Sequence, residues 1–283
     1  MPVPLELALA RPAVLGIVNV TPDSFSDGGQ HASTATAMRH CEKLLADGAH
    51  ILDIGGESSR PGAAPLPLED ELERVLPVLR GAVSLGVPVS VDTYKPRVMQ
   101  AALDLGADII NDIWALRQSG AAQMVASYPG CGVCLMHMHR EPQTMQMQPM
   151  QGDVVVQVRD FLVQAAENLL ARGVHREQIV IDPGIGFGKT VPQNFSLLAR
   201  QAELLVAGYP LLAGWSRKSS LAAATSKSLS DLATLDPQSR LVPSISAAVL
   251  AVQNGARIVR VHDVRETAQA LAVLALVQAA AAA

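Results

Sequence analysis

Eight short runs of β-branched and other apolar residues set the strongest constraint on this chain. Each ends at or near Gly, Asp or Asn, and each is followed by a stretch with helical periodicity. They fall at residues 14–20, 50–54, 87–91, 108–113, 132–136, 178–181, 210–214 and 257–261. Strands that are apolar at nearly every position need cover on both faces, the condition of a parallel sheet wrapped by helices. Eight such units predict an α/β protein, a single-domain (β/α)8 TIM barrel with its active site at the C-terminal face of the strands. The same alternation also permits an open doubly wound sheet, and periodicity does not choose between the two.

No composition break or low-complexity linker divides the 283 residues, so one domain spanning 1–283 is expected. The Met- and Gln-rich stretch 136–151 reads as one long barrel loop. With 49% hydrophobic and 17% charged residues, the chain has the balance of a folded enzyme. A net charge of −4 argues against nucleic acid or an anionic membrane as a partner, so any anion site must be local. The first residues, Met1-Pro2-Val3-Pro4-Leu5-Glu6, do not read as a secretory signal. The apolar end is alanine-rich and interrupted by Gln269 and Gln278, unlike a membrane span. Three cysteines cannot all pair, which fits a reducing compartment, and a cytoplasmic protein is expected.

Polar residues recur where each apolar run stops: Asn19, Asp53, Asp92, Asn111, His137, Asp182, then Ser216 with Arg217 and Lys218, and Arg260 with His262. Singly, each could cap a helix or form a turn. Recurrence at unit after unit points to one shared mouth, because a barrel brings all its strand C-termini to the same end.

After the first run comes Asn19-Val20-Thr21-Pro22-Asp23-Ser24-Phe25-Ser26-Asp27-Gly28-Gly29, whose small polar residues and terminal glycines suit a lid. This stretch resembles a signature of the pterin-binding family. Ile54-Gly55-Gly56-Glu57-Ser58-Ser59-Arg60-Pro61-Gly62 resembles the second signature of the dihydropteroate synthases. The resemblance continues in order through Ser90-Val91-Asp92-Thr93, Ile110-Asn111-Asp112, Leu135-Met136-His137-Met138, Asp182-Pro183-Gly184, Ser216-Arg217-Lys218-Ser219 and Arg260-Val261-His262-Asp263.

That resemblance implies a transferase joining a pterin pyrophosphate to p-aminobenzoate. Asp92, Asn111, Asp182 and Lys218 would line the pterin pocket, with Asp53 in support, since a carboxylate, an amide and a lysine can read the donor and acceptor edge of the ring. Arg60, Arg260 and His262 would supply cations and donors to the departing pyrophosphate, with Ser58 and Ser59 adding hydroxyl or backbone donors. A magnesium ion is implied near Asn19 and Asp27, completed by water and substrate oxygens. Phe25 and Pro61 would shape the p-aminobenzoate pocket, and Ser219, at the start of the helix after Lys218, could receive its carboxylate. A p-aminobenzoate analogue should compete there, which makes the sulfonamides candidate inhibitors. The family also implies a homodimer, with the apolar last helices as candidates for the contact. A catalytically silent pterin-binding paralogue is the alternative, and a methyltransferase of the same fold ranks below both.

Two other signals compete. Gly184-Ile185-Gly186-Phe187-Gly188-Lys189-Thr190 ends like a P-loop, but the required earlier glycine is Pro183, which has no N–H for a phosphate. Tight turns are the preferred reading of these glycines. Cys131-Gly132-Val133-Cys134 with His137 and His139 has zinc-friendly residue types, yet strand alternation sends Cys134 and His137 to opposite faces. Cys41 reads as a buried helical residue. Ser59 stands where many family members carry Thr, Trp215 and Tyr94 are large for their places, and residues 225–242 read as a surface excursion.

Overall fold

A computed structural model of the chain describes residues 12–20, 29–60, 62–141, 143–224 and 237–282. Its eight strands are β1 (Ala13–Asn19), β2 (Ile51–Gly55), β3 (Val89–Asp92), β4 (Ile109–Asp112), β5 (Gly132–Met136), β6 (Ile179–Asp182), β7 (Leu212–Ala213) and β8 (Ile258–Val261). All pair in parallel, running from β6 through β1 in sequence order and on through β8 to β7. The two ends meet: Ile181 of β6 bridges Leu211, and its N–H donates to the carbonyl of Pro210 at 2.9 Å. Sequential order with closure is a (β/α)8 barrel. An open doubly wound sheet would reverse its strand order at a switch point and leave two edges. Strand β7 is shorter than the expected 210–214, and Pro210 has no N–H to offer a ladder.

Side-chain alternation divides each strand between two environments. Val14, Val18, Leu52, Ile54, Val89, Val91, Ile110, Val133, Leu135, Ile179, Ile181, Val259 and Val261 join the large core between barrel and helices. The intervening residues point inward. Ala13, Leu15, Ile51, Ile109, Cys134, Val180, Leu212 and Ile258 form a separate buried cluster that plugs the barrel. One step further along the strands most inward positions turn polar: Asp53 stands opposite Ser90, Asp92 opposite Asn111, and Asp182 opposite the apolar Met136. The plug is apolar because no water reaches it, and the layer above it carries the chemistry.

The helices return the chain to the barrel's N-terminal end. Leu68–Ala82 begins with Glu69, Asp70 and Glu71 and has Arg80 in its last turn, a charge order matching the helix dipole. Asp153 caps Val154–Leu170 through the N–H of Val155, and Thr190 and Gln193 form a capping box at Val191–Ala199.

Cys134 lies in the barrel plug, and Cys41 and Cys131 are also buried as free thiols. Trp215 is 2% exposed and packs against Phe195 on the outer side of the barrel, 5.5 Å between ring centroids. It therefore does not crowd the mouth. The excursion expected over 225–242 needs correction at its end: Pro237–Arg240 is a short 3-10 turn, and Leu241 and Val242 already open the helix Leu241–Gln253. Residues 225–236 lie outside the described residues.

Candidate active site

The strand C-termini enclose a cavity of about 310 Å3. Asp92, Asn111, Asp182 and Lys218 line it together with Arg60, Arg260 and His262. Asn19 and Ser59 contribute from the ends of β1 and the loop after β2. Its apolar wall comes from Ile17, Ile113, Met136, Ile185 and Phe187, which the sequence reading did not single out. Their signal was available, since Ile17 and Met136 occupy inward strand positions, but apolar residues in strands look alike until the faces are known.

At the floor, Arg260 ties two carboxylates together. Its Nε donates to Oδ2 of Asp53 and its Nη2 to Oδ2 of Asp92, both at 2.6 Å. Asn111 adds Nδ2 to the same oxygen of Asp53 at 3.3 Å. Asp53 is wholly buried and does not itself line the cavity. The sequence reading assigned Asp92 to one substrate and Arg260 to the departing charge, whereas the fold makes them one ion-paired unit. Burial raises the Asp92 carboxyl above the usual range while Arg260 pulls it down.

On the opposite wall, Asp182 accepts the N–H of Gly184 at 2.7 Å through Oδ1. Burial raises its carboxyl too, against that hydrogen bond and the charge of Lys218. The ammonium of Lys218 lies 4.1 Å from the ring centroid of Phe187, a cation–π contact that holds the charge against the apolar wall. Burial pushes Lys218 down to about 8, with Asp182 opposing.

His262 is a donor rather than a cation. Burial, reinforced by Arg217 and Arg260, pushes it down to about 3, so the ring is neutral at physiological pH. Its Nδ1 lies 3.0 Å from Oγ of Ser216, which also accepts the His262 N–H at 3.1 Å. Arg217, at φ 57°, forms a two-pronged ion pair with Asp263 and receives further support from Ser244 and Arg240. This network sets the turn from which Lys218 projects.

The loop carrying Ser59 and Arg60 is tethered below. Glu57 accepts Tyr94 Oη at 2.9 Å and also pairs with Lys95, which reaches buried Glu71 as well. Tyr94 stacks on Trp114 beside a smaller adjoining cavity that shares Ser59 and Asp92 with the mouth. Tyr94 is thus accommodated at the flank of the site.

Ser219 departs from expectation. It is exposed, does not line the mouth cavity, and opens a six-residue 3-10 turn, Ser219–Ala224, instead of an α-helix. Phe25, Asp27 and Pro61 lie outside the described residues.

Residues 15–262 match the family of pterin binding enzymes. The dihydropteroate synthase of Escherichia coli (strain K12) is 45% identical over 270 residues, covering 95% of this chain and 93% of that protein. The chain belongs to the dihydropteroate synthase family. A solved Xanthomonas albilineans dihydropteroate synthase with 4-aminobenzoic acid superposes with a TM-score of 0.87 at 47% identity, covering 96% of this chain and 94% of that one. The Burkholderia cenocepacia dihydropteroate synthase complexed with 7,8-dihydropteroate gives 0.85 at 47% identity, with 96% and 93% covered. A dihydropteroate synthase needs polar groups that read a heterocycle beside cations that receive a leaving anion, and this mouth holds both kinds.

The metal question can be put to the donor set. Among the described residues no group of three His, Cys, Asp or Glu could hold a metal ion, so a dedicated cage is absent there. Asn19 offers one amide oxygen to the cavity, which fits magnesium as an ion completed by water and substrate oxygens.

Proposed function

We propose that the mouth condenses 6-hydroxymethyl-7,8-dihydropterin pyrophosphate with p-aminobenzoate, giving 7,8-dihydropteroate and pyrophosphate. The observation that carries this reading is the convergence of Asp92, Asn111, Asp182 and Lys218 with Arg60, Arg260 and His262 on one apolar-walled cavity. Relatives solved with 4-aminobenzoic acid and with 7,8-dihydropteroate support the same substrate pair.

In this reading Asp182 and Asn111 bond the edge of the pterin, while Lys218 and Phe187, packed on each other, cover its ring against water. The C–O bond to pyrophosphate breaks, the leaving group takes the electron pair, and the methylene carbon becomes the electrophile. The arylamine nitrogen attacks that carbon and releases one proton, so no covalent enzyme intermediate is needed. Arg60 and the neutral His262 offer donors to the departing oxygens, whose charge grows in the transition state. Asp53 and Asp92 fix the guanidinium of Arg260, leaving its remaining edge toward the mouth. Asn19, with Asp27, would hold magnesium, which supplies positive charge to the pyrophosphate oxygens.

Purified protein, magnesium and both substrates should yield pyrophosphate and dihydropteroate in equal amounts. Pterin binding without product would leave only the silent paralogue. Chelation should abolish turnover and added magnesium restore it, and sulfonamides should compete with p-aminobenzoate.

The assembly is read as a homodimer. Val273, Leu276 and Val277 on the helix Val264–Ala282 are more than half exposed, as is Val242 on the preceding helix, and a second copy would cover them. Light scattering at twice the chain mass would support this, and a monomer at micromolar concentration would overturn it. No helix among the described residues is long and apolar enough to cross a membrane. A cytoplasmic location is our reading from the free cysteines, and cell fractionation tests it.

A further inference from the structure

The two motifs that resembled a P-loop and a zinc cluster meet in the fold. Lys189 is 2% exposed, and its Nζ lies 3.0 Å from Nδ1 of His137, 2.9 Å from the carbonyl oxygen of Gly184 and 3.1 Å from that of Phe187. The carbonyl oxygen of His137 adds a longer contact at 3.4 Å, and burial pushes the amine down to about 7. His137 stands directly after β5, and Gly184 and Phe187 belong to the loop after β6, so one buried amine ties two neighbouring barrel loops.

The packing around this tie leaves the loops little room. A Cβ on Gly184, at φ 65°, would sit 1.9 Å from the carbonyl oxygen of His137, and one on Gly188 would sit 2.6 Å from Cβ of His139. Gly186 donates its N–H to Asn194 at 2.8 Å and accepts Gln146 at 2.6 Å. The loop so held presents Ile185 and Phe187 to the mouth, and Phe187 bears the Lys218 ammonium. Without Lys189 the carbonyl of Gly184 keeps the N–H of Phe187 at 3.1 Å, whereas the carbonyl of Phe187 loses the ammonium donor beside it, and the end of the loop that carries the ring is the part set free.

We propose that Lys189 is a positioning residue for the pterin half of the site, acting through the carbonyls of Gly184 and Phe187 to set the Phe187 ring beneath the substrate. The inference rests on the synthase reading above. It also explains why a lysine at the end of a glycine-rich loop has no phosphate role: its Nζ is buried and its hydrogen bonds are taken up inside the protein.

The test is steady-state kinetics on the full chain. Lys189→Met should raise KM for the pterin pyrophosphate at least tenfold and leave KM for p-aminobenzoate, at saturating pterin, within twofold. Phe187→Ala should show the same split, and the double variant should be no worse than the poorer single variant, because both changes act on one ring. Equal losses for both substrates, or multiplying effects in the double variant, would overturn the proposal. Should Lys189→Met not fold, His137→Leu removes the imidazole acceptor of Lys189 while keeping an apolar side chain beside Phe161, and a rise confined to the pterin KM is expected; an unchanged KM overturns the idea. Wild-type protein that makes no dihydropteroate would instead strike the synthase reading itself.

Discussion

Arg260 reaches Asp53 at 2.6 Å from a position 207 residues away in the chain, and the carboxylate it meets is wholly buried. The same guanidinium holds Asp92, so removing it strands two carboxylates in a space from which Asp53 has no access to water. Breaking a buried pair from one side costs roughly 3–5 kcal/mol. Arg260→Met should therefore lower stability to denaturant by that order as well as abolish turnover. Adding Asp53→Asn should recover part of the stability and none of the activity. Full stability in Arg260→Met alone would show that the two carboxylates do not depend on this pair.

Lys218 should impose an alkaline limit on the pterin step. Burial holds its ammonium near 8, so the charged form is complete below that pH and is lost as pH rises through it. The ratio kcat/KM for pterin pyrophosphate should fall about tenfold per pH unit above that point, since this ratio reports the free enzyme. Lys218→Met should be slow at every pH and lack the fall. A profile flat to pH 10 in the wild type contradicts the assignment.

His262 should act without titrating near neutrality, because burial keeps its ring neutral down to about pH 3. His262→Ala should reduce kcat by about 10²-fold, the scale of one lost transition-state donor. His262→Gln, which restores an N–H, should recover part of the loss. Measured between pH 5 and 8, the wild-type profile should carry no step that His262→Gln removes; such a step would mean that the imidazolium is the working form.

Lys95 should matter to the substrate whose pyrophosphate meets Arg60. It bridges Glu57, three residues before Arg60, to Glu71, whose carboxyl burial raises above the usual range. Lys95→Met leaves both carboxylates without their cation and frees the loop that carries Ser59 and Arg60. The expected result is a lower melting temperature and a raised KM for the pterin pyrophosphate, whose charged end Arg60 receives. An unchanged KM for the pterin pyrophosphate would show that the tether does not set the loop.

Much of the site could be read from strand patterning. In Leu52-Asp53-Ile54 a carboxylate sits between two residues of the outer core, and Ile110-Asn111 repeats the arrangement one strand pair further on. A polar residue inside such a run must face the barrel axis, and placed near the strand's end it must face the mouth. Lys189 gave no comparable sign. A lysine after glycines looks solvated, and its burial depends on His137, 52 residues earlier, arriving with an acceptor. At Ser219 the type of element differs from the expectation, since a 3-10 turn and an α-helix begin alike in sequence.

The sequence by itself determined the repeated strand and helix units, the family, and the polar residues that strand ends deliver to one mouth. Those are matters of local periodicity and of ordered motifs, which need no knowledge of distant neighbours. Tertiary structure alone decided that the sheet closes between Ile181 and Leu211, that Arg260 is shared by Asp53 and Asp92, and that His262 is neutral. Closure, ion pairing and desolvation each depend on which groups end up a few ångströms apart with water excluded, and the separation of residues along a chain does not encode that distance.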